Sequence, residues 1–220
     1  MNIVEFVGLP GSGKSTICKK YEYSLKKRQF LATNVQVQAL MLRGVKRRLV
    51  YFAVHYYPKC RKVAAAAKKY VPNLKDKEVK AWIFRMKQIV YLLDKYEKEG
   101  LEYAVMDEGF IQFITSLCHD EAMPAPMMDF AKAVMDIVYT GRNCKFIYVE
   151  TDKEEIIKRI RERNRPGDRF LSDSDEVMMG RLELKENNLL KCLELLDDSL
   201  IKKVHLEGEI KLAELVEMLE

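Results

Sequence analysis

Histidine and tryptophan are scarce in this 220-residue chain, at three and one, and its five cysteines form no Cys-x-x-Cys pair. The cysteines (Cys18, Cys60, Cys118, Cys144 and Cys192) are odd in number and widely scattered. That pattern excludes a disulfide framework and, with no histidine at ligand spacing from a cysteine, a zinc site. It predicts reduced thiols and a cytoplasmic protein. Long apolar runs are also missing: the longest aromatic–aliphatic stretch, Leu49–Tyr57, has half the length needed to span a bilayer and contains His55, so no membrane partner is expected. No charged leader followed by an apolar core opens the chain, and Ile3–Val7 reads as a buried strand instead. Acidic residues are absent between Tyr23 and Lys75, a stretch that holds thirteen Lys or Arg. Although the net charge is only +5, this segment carries a positive field able to attract an anionic substrate, a nucleic acid or a membrane surface.

What is present reads as a folded α/β protein. Hydrophobic residues make up 48% and charged residues 32%, which argues against disorder, and 25.7 kDa suits one generous domain spanning residues 1–220. Short buried strands are predicted at Ile3–Val7, Asn34–Gln38, Tyr103–Met106, Lys145–Val149 and Lys202–Leu206. Helices are predicted at Lys14–Arg28, from about Leu40 to Tyr70, and at Lys77–Lys98, where Val79, Trp82, Ile83, Met86, Ile89, Val90 and Leu93 recur at three- and four-residue steps. Further helices are expected at Met127–Tyr139, Asp152–Arg163, from Ser172–Glu176 to about Leu196, and at Ile210–Leu219. Repeated strand–helix alternation implies a parallel sheet with helices on both faces.

The first strand runs into GLPGSGKST, residues 8–16. Gly8, Gly11 and Gly13, with Pro10 and Ser12 between them, free a run of backbone N–H groups to wrap an anionic phosphate. The helix that follows adds its unpaired N–H groups and positive dipole end. Lys14 reaches toward the β- and γ-phosphates, Ser15 offers its hydroxyl to Mg2+, and Thr16 follows in the first turn. The expected ligand is a nucleoside triphosphate, ATP, with Mg2+.

Two further groups point at phosphoryl transfer. Asp107 and Glu108 stand at the carboxyl end of the third strand, where ligands sit in open parallel sheets. A carboxylate there can orient magnesium waters or accept a proton from an attacking hydroxyl, and spacing alone does not say which of the two does so. Near the C-terminus, Arg159 and Arg163 lie one helical turn apart, and Arg169 follows in a turn around Pro166 and Gly167. Guanidinium groups stabilise the charge that develops on a migrating phosphoryl group. Arg161 reads as part of a solvated helix face paired with Glu154, Glu155 or Glu162.

GLPGSGKST, VMDEG and RIRERNRPGDRF stand in an order that resembles the thymidylate kinase-like branch of P-loop kinases, over roughly residues 1–30 and 78–220. That resemblance implies an α/β P-loop NTPase kinase fold: a parallel five-stranded sheet of order 2-3-1-4-5, helices on both faces, and here a helical basic insertion at about 40–76. It implies transfer of the γ-phosphate of ATP to a nucleoside, nucleotide or other small acceptor. It places Lys14 and Ser15 on phosphates and Mg2+, Asp107 on the metal or the acceptor proton, and Arg159, Arg163 and Arg169 in a closing lid at about 159–176. Arg85 would sit near the acceptor, and Gly208, in HLEGE, would border the adenine. Two departures stand out: Glu108 replaces the Arg that thymidylate kinases carry there, and no acid follows the second strand.

The basic insertion interleaves its cations with Tyr51, Phe52, Tyr56, Tyr57 and Tyr70. Three roles stay open: a helical hairpin with the aromatics packed inside, a cap over a small anionic acceptor, or a polynucleotide or membrane contact. Two rival functions also remain, an ATP-hydrolysing switch or partner-binding ATPase and a 5′-hydroxyl polynucleotide kinase. A homodimer stays open.

Overall fold

The computed structural model describes residues 1–35, 38–39, 44–118, 121–163 and 170–205, without the side chains of 44–48. Five strands, β1 (Asn2–Gly8), β2 (Ala32–Asn34), β3 (Tyr103–Met106), β4 (Asn143–Glu150) and β5 (Ile201–His205), form one sheet of order β2-β3-β1-β4-β5. Every pairing is parallel, with Asn2 opposite both Tyr103 and Asn143, and Gly8 opposite Val149. The helices are α1 (Lys14–Lys27), α2 (Gly44–Tyr56), α3 (Pro58–Tyr70), α4 (Lys77–Lys98), α5 (Phe110–Ser116), α6 (Ala125–Tyr139), α7 (Lys153–Arg163) and α8 (Asp175–Leu193).

Strand alternation sends side chains to two separate cores. Val4, Phe6, Val105, Ile147 and Val149 face Ile17, Cys18, Tyr21 and Leu25 of α1. Ile3, Val7, Ala104, Met106, Phe146 and Tyr148 face the larger cluster built by α2 to α6 and α8. Burial on both faces explains why the central strands read as continuous apolar runs. A third cluster joins Leu9, Ile156, Ile157, Ile160, Phe170, Met178 and Leu182, packing α7 and α8 against the turn after β1.

The ends of the elements follow local chemistry. Asp76 caps α4 by accepting the N–H groups of Glu78 at 2.6 Å and Val79 at 3.2 Å, and Gly100 ends that segment at φ 85°. Ser174 caps α8 through the Val177 N–H at 3.3 Å.

Several expectations need correction. β2 lies two residues before the predicted Asn34–Gln38, because Val35 is already helical and is buried in the larger core, a place a β-branched residue fills from either conformation. The single helix expected over 40–70 is two, separated where Pro58 takes the first position of α3, where a missing N–H costs nothing. The insertion's aromatics divide: Tyr57 and Tyr70 pack against the core, whereas Tyr51, Phe52 and Tyr56 are 52%, 62% and 78% exposed and Val50, Val54, Cys60, Val63 and Ala67 do most of the packing. α5, unforeseen, is short and buried on nearly every side, so it shows no amphipathic period. The predicted closing helix lies outside the described residues.

The insertion is pinned by one buried carboxylate. Asp94 on α4 accepts from Tyr57 Oη at 2.6 Å and Lys59 Nζ at 2.9 Å and pairs with Arg142, which also holds Glu97 at 2.6 Å. Burial works to raise Asp94, and these donors together hold it below its ordinary value. All five cysteines are free and buried. No described helix is long and apolar enough to cross a membrane.

Candidate active site

The glycine turn after β1 has the shape its sequence promises. Gly11 and Gly13 adopt φ 87° and 88°, the left-handed region that favours glycine. Gly8 is fixed by space: a Cβ there would lie 2.7 Å from the Val149 carbonyl oxygen and 2.9 Å from Ser12 Oγ. Ser12 is fully buried. Its N–H donates to the Leu9 carbonyl at 3.1 Å, its own carbonyl accepts Thr151 Oγ1 at 3.1 Å, and its Oγ has no protein partner. No side chain caps α1 and no acid occupies its first turn, so the helix presents its N–H groups and positive end to the hollow. An oxyanion supplies what these groups lack. Ser15 and Thr16 are exposed in that first turn.

Lys14 is buried and its Nζ donates to the Leu9 carbonyl at 3.1 Å. Burial pulls it down to about 8; the Glu108 and then the Asp107 carboxylate work to raise it, while the charges of Lys185 and Arg163 lower it. The electrostatics therefore join five residues from four elements: Lys14 on α1, Asp107 and Glu108 after β3, Arg163 at the end of α7, and Lys185 on α8. Asp107 and Glu108 are half-buried at the bend beyond Met106.

Arg159 is held within its own helix and also reaches the glycine turn. Its Nε donates to Glu155 Oε1 at 2.9 Å, and its Nη1 reaches the Gly11 carbonyl at 3.5 Å. Arg161 is not paired as expected. It holds the Leu171 carbonyl at 2.8 Å, the Asp173 carbonyl at 2.5 Å and Asp175 Oδ1 at 2.8 Å, tying the end of α7 to the start of α8. Arg85 is exposed with its guanidinium 4.8 Å over the Trp82 ring of its own helix. Arg169 and Gly208 lie outside the described residues.

Sequence reasoning missed Asn34, Lys185, Thr151 and Glu5. Asn34 ends β2 and touches Asp107; misplacing that strand hid it. Lys185, 5.4 Å above the Phe170 ring, is one helix away from any motif.

Among the described residues, no cluster of three or more His, Cys, Asp or Glu side chains forms a metal cage. A magnesium ion arriving with a triphosphate needs none, since it keeps waters and phosphate oxygens and takes one or two protein oxygens. The Ser15 hydroxyl and the Asp107 carboxylate are hard oxygen donors of that kind and fit it.

A strand, a glycine turn ending in Gly13-Lys14-Ser15, a helix and a parallel sheet of order 2-3-1-4-5 define the P-loop NTPase kinase fold. The chain belongs to the AAA-domain family, whose model matches residues 3–184. Among solved structures it is similar to deoxyadenosine kinase from M. mycoides with products dCMP and a flexible dCDP, at 17% identity and a TM-score of 0.52, over 99% of this chain and 96% of that one. The same enzyme with bound dCTP aligns at 16% identity and a TM-score of 0.51, with the same coverage. Shikimate kinase from Acinetobacter baumannii, in complex with shikimate, aligns over 99% of this chain and 90% of that one at 13% identity, with a TM-score of 0.40. No curated protein matches by sequence. At these identities the structural likeness speaks for the fold.

Proposed function

We propose that the chain is a Mg2+-dependent kinase that moves the γ-phosphate of ATP to a small acceptor, with nucleosides and nucleotides first among the candidates. The observation that carries this reading is Lys14, buried at the mouth of the glycine turn and facing the Glu108 and Asp107 carboxylates, with Arg163 and Lys185 near enough to act on its charge. Two walls of opposite sign suit a reaction that must hold a polyphosphate at one end and deprotonate an attacking group at the other.

In this reading the N–H groups left free in the glycine turn and the first turn of α1 wrap the β- and γ-phosphates, with Lys14 on them and Ser15 and Asp107 toward Mg2+, which when bound neutralises phosphate charge. The acceptor oxygen bonds to the γ-phosphorus as the bond to the β,γ-bridging oxygen breaks. ADP leaves with that electron pair, and the acceptor proton passes to a strand-end carboxylate. Arg159 and Arg163 stabilise the migrating charge, and Arg169 joins them as lid. Arg85 is assigned to the acceptor side and Gly208 to the adenine edge. The order of motifs supports the thymidylate kinase-like branch. Glu108, in place of Arg, favours a hydroxyl over a monophosphate as acceptor.

An ATP-hydrolysing switch or partner-binding ATPase is the second reading, favoured by the AAA-domain assignment. ADP release screened over nucleosides, nucleoside monophosphates, amino sugars and short oligonucleotides separates them. Release that depends on one acceptor supports the kinase, and full release without any acceptor supports the ATPase. Labelling of an oligonucleotide end, with heparin retention that collapses in modest salt, would turn the assignment to a polynucleotide kinase.

A further inference from the structure

The geometry points to Asn34 as the positioning residue for Asp107, and so to Asp107 rather than Glu108 as the carboxylate that meets the attacking group. Asn34 is the last residue of β2, paired with Val105 two residues before Asp107. It is 4% exposed, and its Nδ2 donates to Asp107 Oδ1 at 3.2 Å and to Cys18 Sγ at 3.6 Å. Its backbone is fixed as well: the Asn34 N–H donates to Glu22 Oε1 at 3.2 Å, and Lys26 holds that oxygen at 2.6 Å. The amide is thus tied from β2, from α1 and from the end of β3. Its N–H cannot turn away from Asp107 without breaking buried contacts, each of which would leave a polar group unsatisfied.

The consequence falls on the carboxylate. With Oδ1 engaged by Asn34, Oδ2 has no protein donor among the described residues, which leaves its lone pairs for a metal-bound water or an acceptor hydroxyl. Both carboxylates act on the Lys14 charge, Glu108 the more strongly. The amide contact sets Asp107 apart as the carboxylate held in place for the attacking group. The amide at 34 also matters because it donates at every pH. A carboxylate in its place would lose the amide donor and set a like charge at hydrogen-bond distance from Asp107.

This inference rests on the kinase reading for what Asp107 does, and its test is built to outlive that reading. ADP release from the full chain is followed with the acceptor found by screening, or as slow acceptor-independent release where none is accepted. Asn34→Asp, nearly isosteric, turns the donor into a like charge, and Asn34→Ala removes it; each is expected to lower kcat about tenfold while the KM for ATP stays within about twofold. Cys18→Ala removes the other acceptor of the same amide and should leave kcat within about twofold of wild type. Wild-type kcat in both Asn34 variants would overturn the inference. So would an equal loss in all three variants, which is the mark of packing alone. Should Asn34→Ala fail to fold, Asn34→Asp decides. A wild type with no ADP release of any kind overturns this inference together with the kinase reading, whereas acceptor-independent release that falls with Asn34→Asp at unchanged KM for ATP retires the kinase reading alone.

Discussion

Tyr139, near the end of α6, donates its phenolic hydroxyl to Glu5 Oε2 in the middle of the central strand. Both residues are buried, and the other oxygen of the same carboxyl accepts the Ile111 N–H at 2.9 Å. Burial pushes Glu5 up to about 7 in spite of these donors, and burial with the adjacent Glu5 carboxyl holds Tyr139 well above its ordinary value. An otherwise apolar sheet face, between Ile3 and Val7, therefore carries one carboxyl that folds with its proton.

The native state keeps that proton where the unfolded chain, with its carboxyl at about 4.5, has lost it. Its stabilising contribution is complete below about 4.5 and is lost as pH rises through about 7. Thermal melts should show Tm falling between pH 5 and pH 8. Glu5→Gln keeps an acceptor for Tyr139 and carries no charge, so it should flatten this slope and add about 1–3 kcal/mol at the alkaline end. A wild-type Tm that is level across the window would contradict the assignment.

Gly109 is glycine for want of room. Its φ of −91° suits any residue, but a Cβ there would sit 2.2 Å from Glu5 Cδ and 2.4 Å from Oε2. Gly109→Ala is expected to cost about 3 kcal/mol and, because Asp107 and Glu108 precede it directly, to lower turnover as well. Pairing it with Glu5→Ala should recover part of the stability. Equal melting of the single variant and wild type would show that the Glu5 side chain can move aside at no cost.

How much of this was legible beforehand depended on whether a signal was local. The glycine turn, β3 with its two acids, and α4 with its apolar face were all readable, because each is dictated by residues within a few positions. β2 was misplaced, since Val35 suits a strand by its side chain but stands where the chain is already helical. Glu5 looked like one polar position in an apolar run; its proton depends on burial by the folded sheet, and its partner Tyr139 lies 134 residues away. Asn34, Lys185 and the Asp94–Arg142 pair were hidden for the same reason, as their meaning lies in neighbours that only the folded sheet supplies. The exposed Tyr51, Phe52 and Tyr56 show the converse limit: aromatic content alone does not tell an inner from an outer helix face.

Arg163 ends α7, and its charge lowers Lys14 from across the hollow. Arg163→Ala should reduce kcat about 100-fold and leave the KM for ATP within about threefold, because the guanidinium acts on charge that builds up during transfer. A change in KM alone would place Arg163 in ground-state binding. Arg161, which bonds the backbone of 171 and 173, is the matched control for loss of the α7–α8 connection. Its Ala variant should lower Tm more than Arg163→Ala does.

Lys14 makes nucleotide binding itself a pH measurement. Burial first, then the Lys185 and Arg163 charges, bring it to about 8 in the free protein against the raising effect of Glu108 and Asp107, so near that pH half of the molecules hold a neutral lysine. A triphosphate favours the charged form, and the complex must take up the missing proton. Below pH 7 the affinity for Mg2+-ATP should be nearly constant; above about 8 the Kd should rise, approaching tenfold per pH unit. Calorimetry at about pH 9 in buffers of different ionisation enthalpy should register uptake of close to one proton. Lys14→Arg stays charged throughout and should abolish both the slope and the uptake. Stability of the free protein should move the opposite way, since the unfolded chain, with its lysine at 10.5, binds the extra proton between about 8 and 10.5 and folding is favoured as pH rises through that window. A Kd that ignores pH, with no proton taken up, would mean that Lys14 is already fully charged before the nucleotide arrives and that the hollow is wetter than its burial implies.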